Sequence, residues 1–238
     1  MAEIGVHEIL LELEKYGDAQ TKKTLGRHGA KEPFFGVKVA DLKTILKKTK
    51  KNHELSLALY KTGNSDAMYL AGLMADEKKI TESQLDEWVD QAYWFYLNEF
   101  TVPWVAAETS FGFHIGMKWM QSDRENIAAA GWVTLSYYAA VNQDSSLDIR
   151  AYERLLDKVE QEIHQSPNRV RHTMNGFVIA IGCSIGELTE KALQISERVG
   201  TVEVEMNGTS CKVPSAEVYI RKVIDKGQIG KKRKTARC

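Results

Sequence analysis

The sequence predicts an all-α fold, a solenoid of about six stacked helix pairs, with one β-hairpin inserted near residues 201–213. Three observations lead there. Capped amphipathic segments of roughly 10–18 residues recur along the chain, separated by short polar breaks such as "KTGNSD", "VNQDSS" and "HQSPN". No strand–helix alternation and no long linker intervene, so consecutive helices are antiparallel neighbours. Finally, "TVEVEMNGTSCKVP", residues 201–214, alternates apolar and polar about Asn207-Gly208. That dipeptide suits a type I′ turn because both central residues need positive φ.

The elements follow in chain order. Val6, Ile9, Leu10 and Leu13 make one apolar stripe. Thr81 with Gln84 forms a capping box ahead of Leu85, Trp88, Val89, Ala92 and Tyr96. Ser122 with Glu125 repeats the device before the apolar segment Ile127–Val141. Ile149, Tyr152, Leu156, Val159 and Ile163 form the next stripe. Ser166-Pro167 reads as a cap followed by proline at the first helical position, leading Val170, Met174, Phe177 and Ile181. Ser184 with Glu187 opens a further helix along Ile185, Leu188, Ala192, Ile195 and Val199. The ~40-residue spacing of helix pairs suits HEAT-type repeats. The expected organisation is one solenoid domain over residues 1–230 and a basic tail over 231–238.

Composition narrows the function classes. The 238 residues are 43% hydrophobic and 27% charged, enough for a sizeable core. Four prolines argue against a disordered or modular linker protein. No run approaches the ~20 apolar residues of a membrane span. The N-terminal "MAEIGVHEILLELEKY" lacks a signal-peptide core. Cys183, Cys211 and Cys238 show neither a disulfide framework nor metal spacing, which makes a reducing cytoplasm the expected location. Net charge is zero, yet Arg221–Cys238 holds eight Lys or Arg against one Asp, a local +7. The preceding 220 residues therefore sum to −7. Such an ending suits a polyanion, with a solvated tail as the competing reading.

Catalytic signatures are missing. The histidines never fall in HExxH or HxxxH, so no metal site is expected, and phosphate-loop, dinucleotide and nucleophile-elbow motifs are absent. No cofactor is expected. Two segments stand out. "QAYWFYLNEFTVPWVAAETSFGFHIGMKWM" is dense in aromatic rings, which serve either as core or as a stacking surface. "SPNRVRHTMNGFVIAIG" places Arg169, Arg171, His172 and Asn175 opposite an apolar stripe, as a solvated face or as phosphate contacts.

"EPFFGVKVADLKTILKK" resembles the early signature of the HEAT-like-repeat DNA alkylation repair superfamily, the AlkD-type glycosylases, over about Glu32–Val199. The resemblance implies a C-shaped helical solenoid holding duplex DNA, and active members remove N-alkylated purines. Active relatives carry a tryptophan-aspartate-x-x-aspartate stretch. The corresponding region here, "NEFTVPWVAAE", has Phe100 at the aromatic position and Trp104 at that of the catalytic carboxylate. A tryptophan cannot stabilise a developing oxocarbenium charge. The second groove tryptophan corresponds to Phe177 and a supporting arginine to Ala128. Glu99 and Glu108 are the only flanking candidates for catalysis. The late hairpin and the ending "GKKRKTARC" resemble the AlkF and AlkG subgroup, which lacks the glycosylase residues and has affinity for branched DNA.

The expectation is therefore a monomeric, non-catalytic binder of branched or distorted DNA. Arg169, Arg171, His172 and Asn175 would contact it with the hairpin residues Met206, Asn207, Gly208 and Lys212. Lys231, Lys232, Arg233 and Lys234 of the tail would hold phosphates. The alternatives are an N-glycosylase for 3-methyladenine or 7-methylguanine using Glu99 or Glu108, and a protein-interaction solenoid without nucleic acid.

Overall fold

The structure, a computed structural model, describes residues 4–206, 208–209 and 211–238. The chain divides into two compact units, Met1–Val105 with Arg237, and Ala106–Ala236 with Cys238.

The first unit contains α1 (Val6–Tyr16), α2 (Ala19–Arg27), α3 (Val39–Thr49), α4 (His53–Tyr60), α5 (Ser65–Met74) and α6 (Glu82–Gln91). A π-helical turn, Tyr96–Thr101, then runs into α7 (Val102–Ala107), within which the division between the units falls. Every residue of α5 is buried, as its nearly all-apolar sequence "SDAMYLAGLM" requires. Asn64 starts this helix by accepting from the N–H groups of Asp66 and Ala67, both at 3.1 Å. Beside it, the Tyr69 ring meets Trp104 edge-on at 5.4 Å. The Thr81–Gln84 capping box forms with both of its bonds.

The Phe-x-Gly signature is a structural clasp. Asp66 Oδ2 accepts from the N–H groups of Phe35 (2.6 Å) and Gly36 (3.1 Å), and Oδ1 from that of Val37 (3.1 Å). Gly36 has φ +81°, and a Cβ there would lie 2.5 Å from the Lys22 backbone nitrogen, so only glycine closes the turn. Burial raises the Asp66 carboxyl above its ordinary pKa, while the three N–H donors pull it down.

The second unit is two layers of parallel helices. α8 (Gly112–Trp119), α10 (Ile149–Glu162) and α12 (Thr189–Val199) form one layer, and α9 (Glu125–Val141), α11 (Asn168–Ser184) and α13 (Ala216–Asp225) the other. The register is read from bonds at matching ends. Lys191 reaches Glu153 and Asp157 while Arg198 pairs with Glu160, which makes α10 and α12 parallel. At the starts of α9 and α11, Glu125 Oε1 accepts the Arg169 N–H at 2.6 Å. At their ends, Lys232 Nζ donates to the carbonyls of Ala139 and Ser184, both at 2.8 Å. Helix α8 packs antiparallel on α9 so closely that a Cβ on Gly131 would lie 2.2 Å from the Met120 nitrogen. Trp132, Tyr152 and Phe177 fill the space between the layers, with the Trp132 and Phe177 ring centroids 5.1 Å apart.

The expected β-hairpin does not form. No strand exists among the described residues: 201–206 and 211–214 have no regular secondary structure, and Asn207 and Ser210 lie outside the described residues. Around the expected turn, the Thr209 N–H donates to Met206 O at 3.0 Å, and Gly208 has φ +65°. What fails is the ladder. A two-residue hairpin would pair Val202 with Val213, but these two line a cavity of about 260 Å³ at the base of the loop. Asn168 takes the place of a partner strand for Glu205, accepting its N–H at 2.7 Å and donating to its carbonyl at 2.9 Å. On the other arm Pro214 has no N–H to give, and its carbonyl accepts from Asn175 at 2.9 Å. Helix α11 thus satisfies each arm separately.

Three cap expectations also change. Ser122 accepts the Arg124 N–H instead of capping α9, whose cap residue is Arg124. Ser166 donates to Glu162 O, and Pro167 itself precedes the first residue of α11. Ser184 ends α11 and opens no helix; α12 begins at Thr189.

Candidate nucleic-acid interface

The first turn of α11 gathers several of the expected contact residues. Arg169 follows Asn168, so the same turn that pins the loop presents a guanidinium beneath the loop tip. Arg169 Nη1 lies 3.7 Å from Met206 Sδ, and Nη2 lies 3.4 Å from His172 Nδ1. Arg171 is half-buried, with its Nε buried and without a partner. Lys212 is exposed on the returning arm and Gly208 at the tip, whereas Asn207 lies outside the described residues. Asn175 is 4% exposed and holds Pro214, so its amide nitrogen serves the loop.

A second cationic cluster sits at the far ends of α9 and α11. Lys231, Arg233 and Lys234 are exposed, with the Arg233 guanidinium 5.5 Å from the Tyr137 ring centroid. The tail carrying them is anchored. The Arg233 N–H donates to Ala140 O at 2.8 Å, and the Ala236 N–H to Glu108 Oε1 at 2.7 Å, which also accepts from the Thr235 hydroxyl. Lys232 departs from the expected phosphate contact. Its side chain is 8% exposed, and its ammonium bridges two helix C-terminal carbonyls and Asp144 at 2.6 Å. At ~1.5 Å per residue, the 17 residues of α11 separate the two clusters by about 25 Å.

The residues expected to correspond to the family's reactive positions are interior groups. Trp104 is 3% exposed and packs on Tyr69 and Phe100, while Phe100 is half-buried beside Tyr96. Phe177 is fully buried against Trp132 and Tyr152, and Ala128 is 6% exposed. Of the two carboxylate candidates, Glu99 is 4% exposed within the π-helical turn, and Glu108 is engaged by the tail. Among the described residues no group of three or more His, Cys, Asp or Glu side chains could hold a metal ion. No helix of the described residues is long and apolar enough to cross a membrane.

A sequence model of the family described as "DNA alkylation repair enzyme" matches residues 9–207. The chain belongs to this family. Among proteins similar to this DNA alkylation repair family member are the uncharacterized protein Lin0241 of Listeria innocua and the uncharacterized protein Lmo0209 of Listeria monocytogenes. Each is 32% identical over 217 residues, covering 89% of this chain and 93% of the relative. A solved structure superposes with a TM-score of 0.92 and 36% identity over 99% of this chain and 100% of its own. It is described as "a new family of proteins related to the HEAT-like repeat DNA glycosylases with affinity for branched DNA structures".

The sequence reading missed the residues that hold this family member's features in place. Asp66 was detectable as a lone acid in an otherwise apolar helix. Asn168, Glu125 and Lys232 act through tertiary contacts across 37 to 93 residues, and no local pattern marks them.

Proposed function

We propose that this member of the DNA alkylation repair family binds branched or distorted DNA without excising bases. The observation that carries the reading is the whole-length likeness to a structure described as having affinity for branched DNA, joined to a half-buried cationic cluster at the start of α11 and an exposed one on the tail at the far ends of α9 and α11. Arg169, Arg171 and His172 would contact the backbone at one end, and Lys231, Arg233 and Lys234 at the other. A duplex rises ~3.4 Å per base pair, so about 25 Å spans roughly seven base pairs. Met206, Gly208 and Lys212, on an irregular loop held by Asn168, would meet the junction between arms. With DNA as its partner, it would act in the cytoplasm or nucleoid, as a monomer.

Without a carboxylate at Trp104, the position the resemblance gives to the catalytic acid, and with Phe177 and Ala128 buried, the protein would lack the groups that stabilise a developing positive charge. Fluorescence anisotropy across a salt series tests the binding reading. Arg169→Ala should weaken a four-way junction and a duplex alike and lower the log–log salt slope by about 0.9. An unchanged slope in a folded variant would remove Arg169 from the interface.

A further inference from the structure

The basic ending is held down along its length. The Gly230 N–H donates to Cys183 O at 2.9 Å, and Lys232 is drawn inward by Ala139 O and Ser184 O. The Arg233 N–H reaches Ala140 O, and Glu108 Oε1 takes both the Thr235 hydroxyl and the Ala236 N–H. Lys231 and Lys234, set between these anchors, are exposed, and neither has an ion-pair partner among the described residues. A solvated tail needs no such anchors, because water satisfies its backbone groups. Fixing the chain carries an entropic cost, and the held cations repel one another. Both penalties are met during folding, so a polyanion docking on the tail does not meet them again. Glu108 is the anchor that charge alone would not select. It directly follows α7, is half-buried, and brings a negative charge to the residues next to Lys234. A carboxylate there repels phosphate, and its two bonds to the tail are what offset that.

We propose that Glu108 is a positioning residue for DNA, holding the tail in the path that presents Lys231, Arg233 and Lys234 to the phosphate backbone. This rests on the DNA-binding reading above. A carboxylate that the sequence nominates for catalysis acts instead as a clamp on the protein's own chain.

The test titrates one linear duplex with full-length wild type, Glu108→Ala, Glu108→Gln and Thr235→Val, by fluorescence anisotropy across a salt series. Glu108→Ala removes a negative charge, so electrostatics alone predicts equal or tighter binding. Positioning predicts the opposite: binding about five- to tenfold weaker at every salt concentration, with the log–log slope unchanged. The slope holds because the same phosphates are contacted, from a looser tail. Glu108→Gln removes the same charge but keeps the acceptor oxygen, and should bind within about twofold of wild type. Thr235 is exposed, and Thr235→Val, which loses the hydroxyl donor, should weaken binding in the same direction as Glu108→Ala. Trypsin should also cut within residues 231–234 faster in Glu108→Ala than in wild type, leaving the rest of the chain intact. Glu108→Ala binding as tightly as wild type, while Lys231→Gln weakens the duplex, would overturn the positioning role and leave the DNA reading intact. If Glu108→Ala does not fold, Thr235→Val binding like wild type overturns it equally. Equal binding by wild type, Lys231→Gln and Lys234→Gln would remove the tail from the interface, and the proposal with it. Wild type binding no DNA would remove the functional reading and the clamp together.

Discussion

Replacing Lys232 with methionine separates a structural cation from a DNA-contacting one. The ammonium serves Ala139 O, Ser184 O and Asp144 while its side chain is 8% exposed. Methionine keeps most of the apolar stem and removes all three bonds. Each helix-terminal carbonyl left dry costs about 1–3 kcal/mol. Asp144 is 45% exposed and regains water, so its share is small. The expected loss is about 2–4 kcal/mol, or roughly 5–15 °C in melting temperature at ~2–4 °C per kcal/mol for a chain of this size. Thermal melts followed by circular dichroism read this directly. In DNA titrations well below the melt, the variant should keep the wild-type salt slope, because Lys232 offers no charge to a phosphate. Lys231→Gln should do the reverse, melting with wild type and losing about 0.9 from the slope. A Lys232→Met protein that melts with wild type but loses that slope would refute the assignment.

Two further outcomes are expected. Asp66→Asn keeps one acceptor of the clasp and turns an amide N–H₂ toward a backbone donor, costing about 1–3 kcal/mol at neutral pH. Burial raises the folded-state pKa above the unfolded one, so the native state holds more protons in the window upward from 3.8. That contribution is complete below the unfolded pKa and declines as pH rises through the folded value. Urea melts should therefore show a larger gap between wild type and Asp66→Asn at low pH than at neutral pH, and a gap that widens with pH would sink the linkage. For chemistry, alkylated DNA incubated with excess protein should release neither 3-methyladenine nor 7-methylguanine above background. Turnover abolished by Glu99→Gln or Glu108→Gln would establish a glycosylase instead.

The helical layers were legible because they depend on local periodicity. The stripe Ile149, Tyr152, Leu156, Val159 and the Thr81–Gln84 box sit where sequence patterning puts them. The loop 201–214 was misread because alternation and an Asn-Gly turn describe only the loop's own preference. Side chains from α11 outcompete the cross-strand bonds, and which asparagine lands opposite Glu205 is decided 37 residues away. The tail shows the same limit: a run of four cations gives no sign that its second member points inward to two helix ends. Arg169 and His172 were nominated for their charge, but their place beneath Met206 comes from the loop's fold.

The most direct measurement is a competition titration of the wild-type protein at fixed ionic strength. A labelled four-way junction is displaced by unlabelled junction or by linear duplex of the same sequence and length. The account predicts that the duplex competes at least several-fold less well per base pair, with both affinities falling as salt rises. Equal competition, or no binding to either DNA, would contradict it.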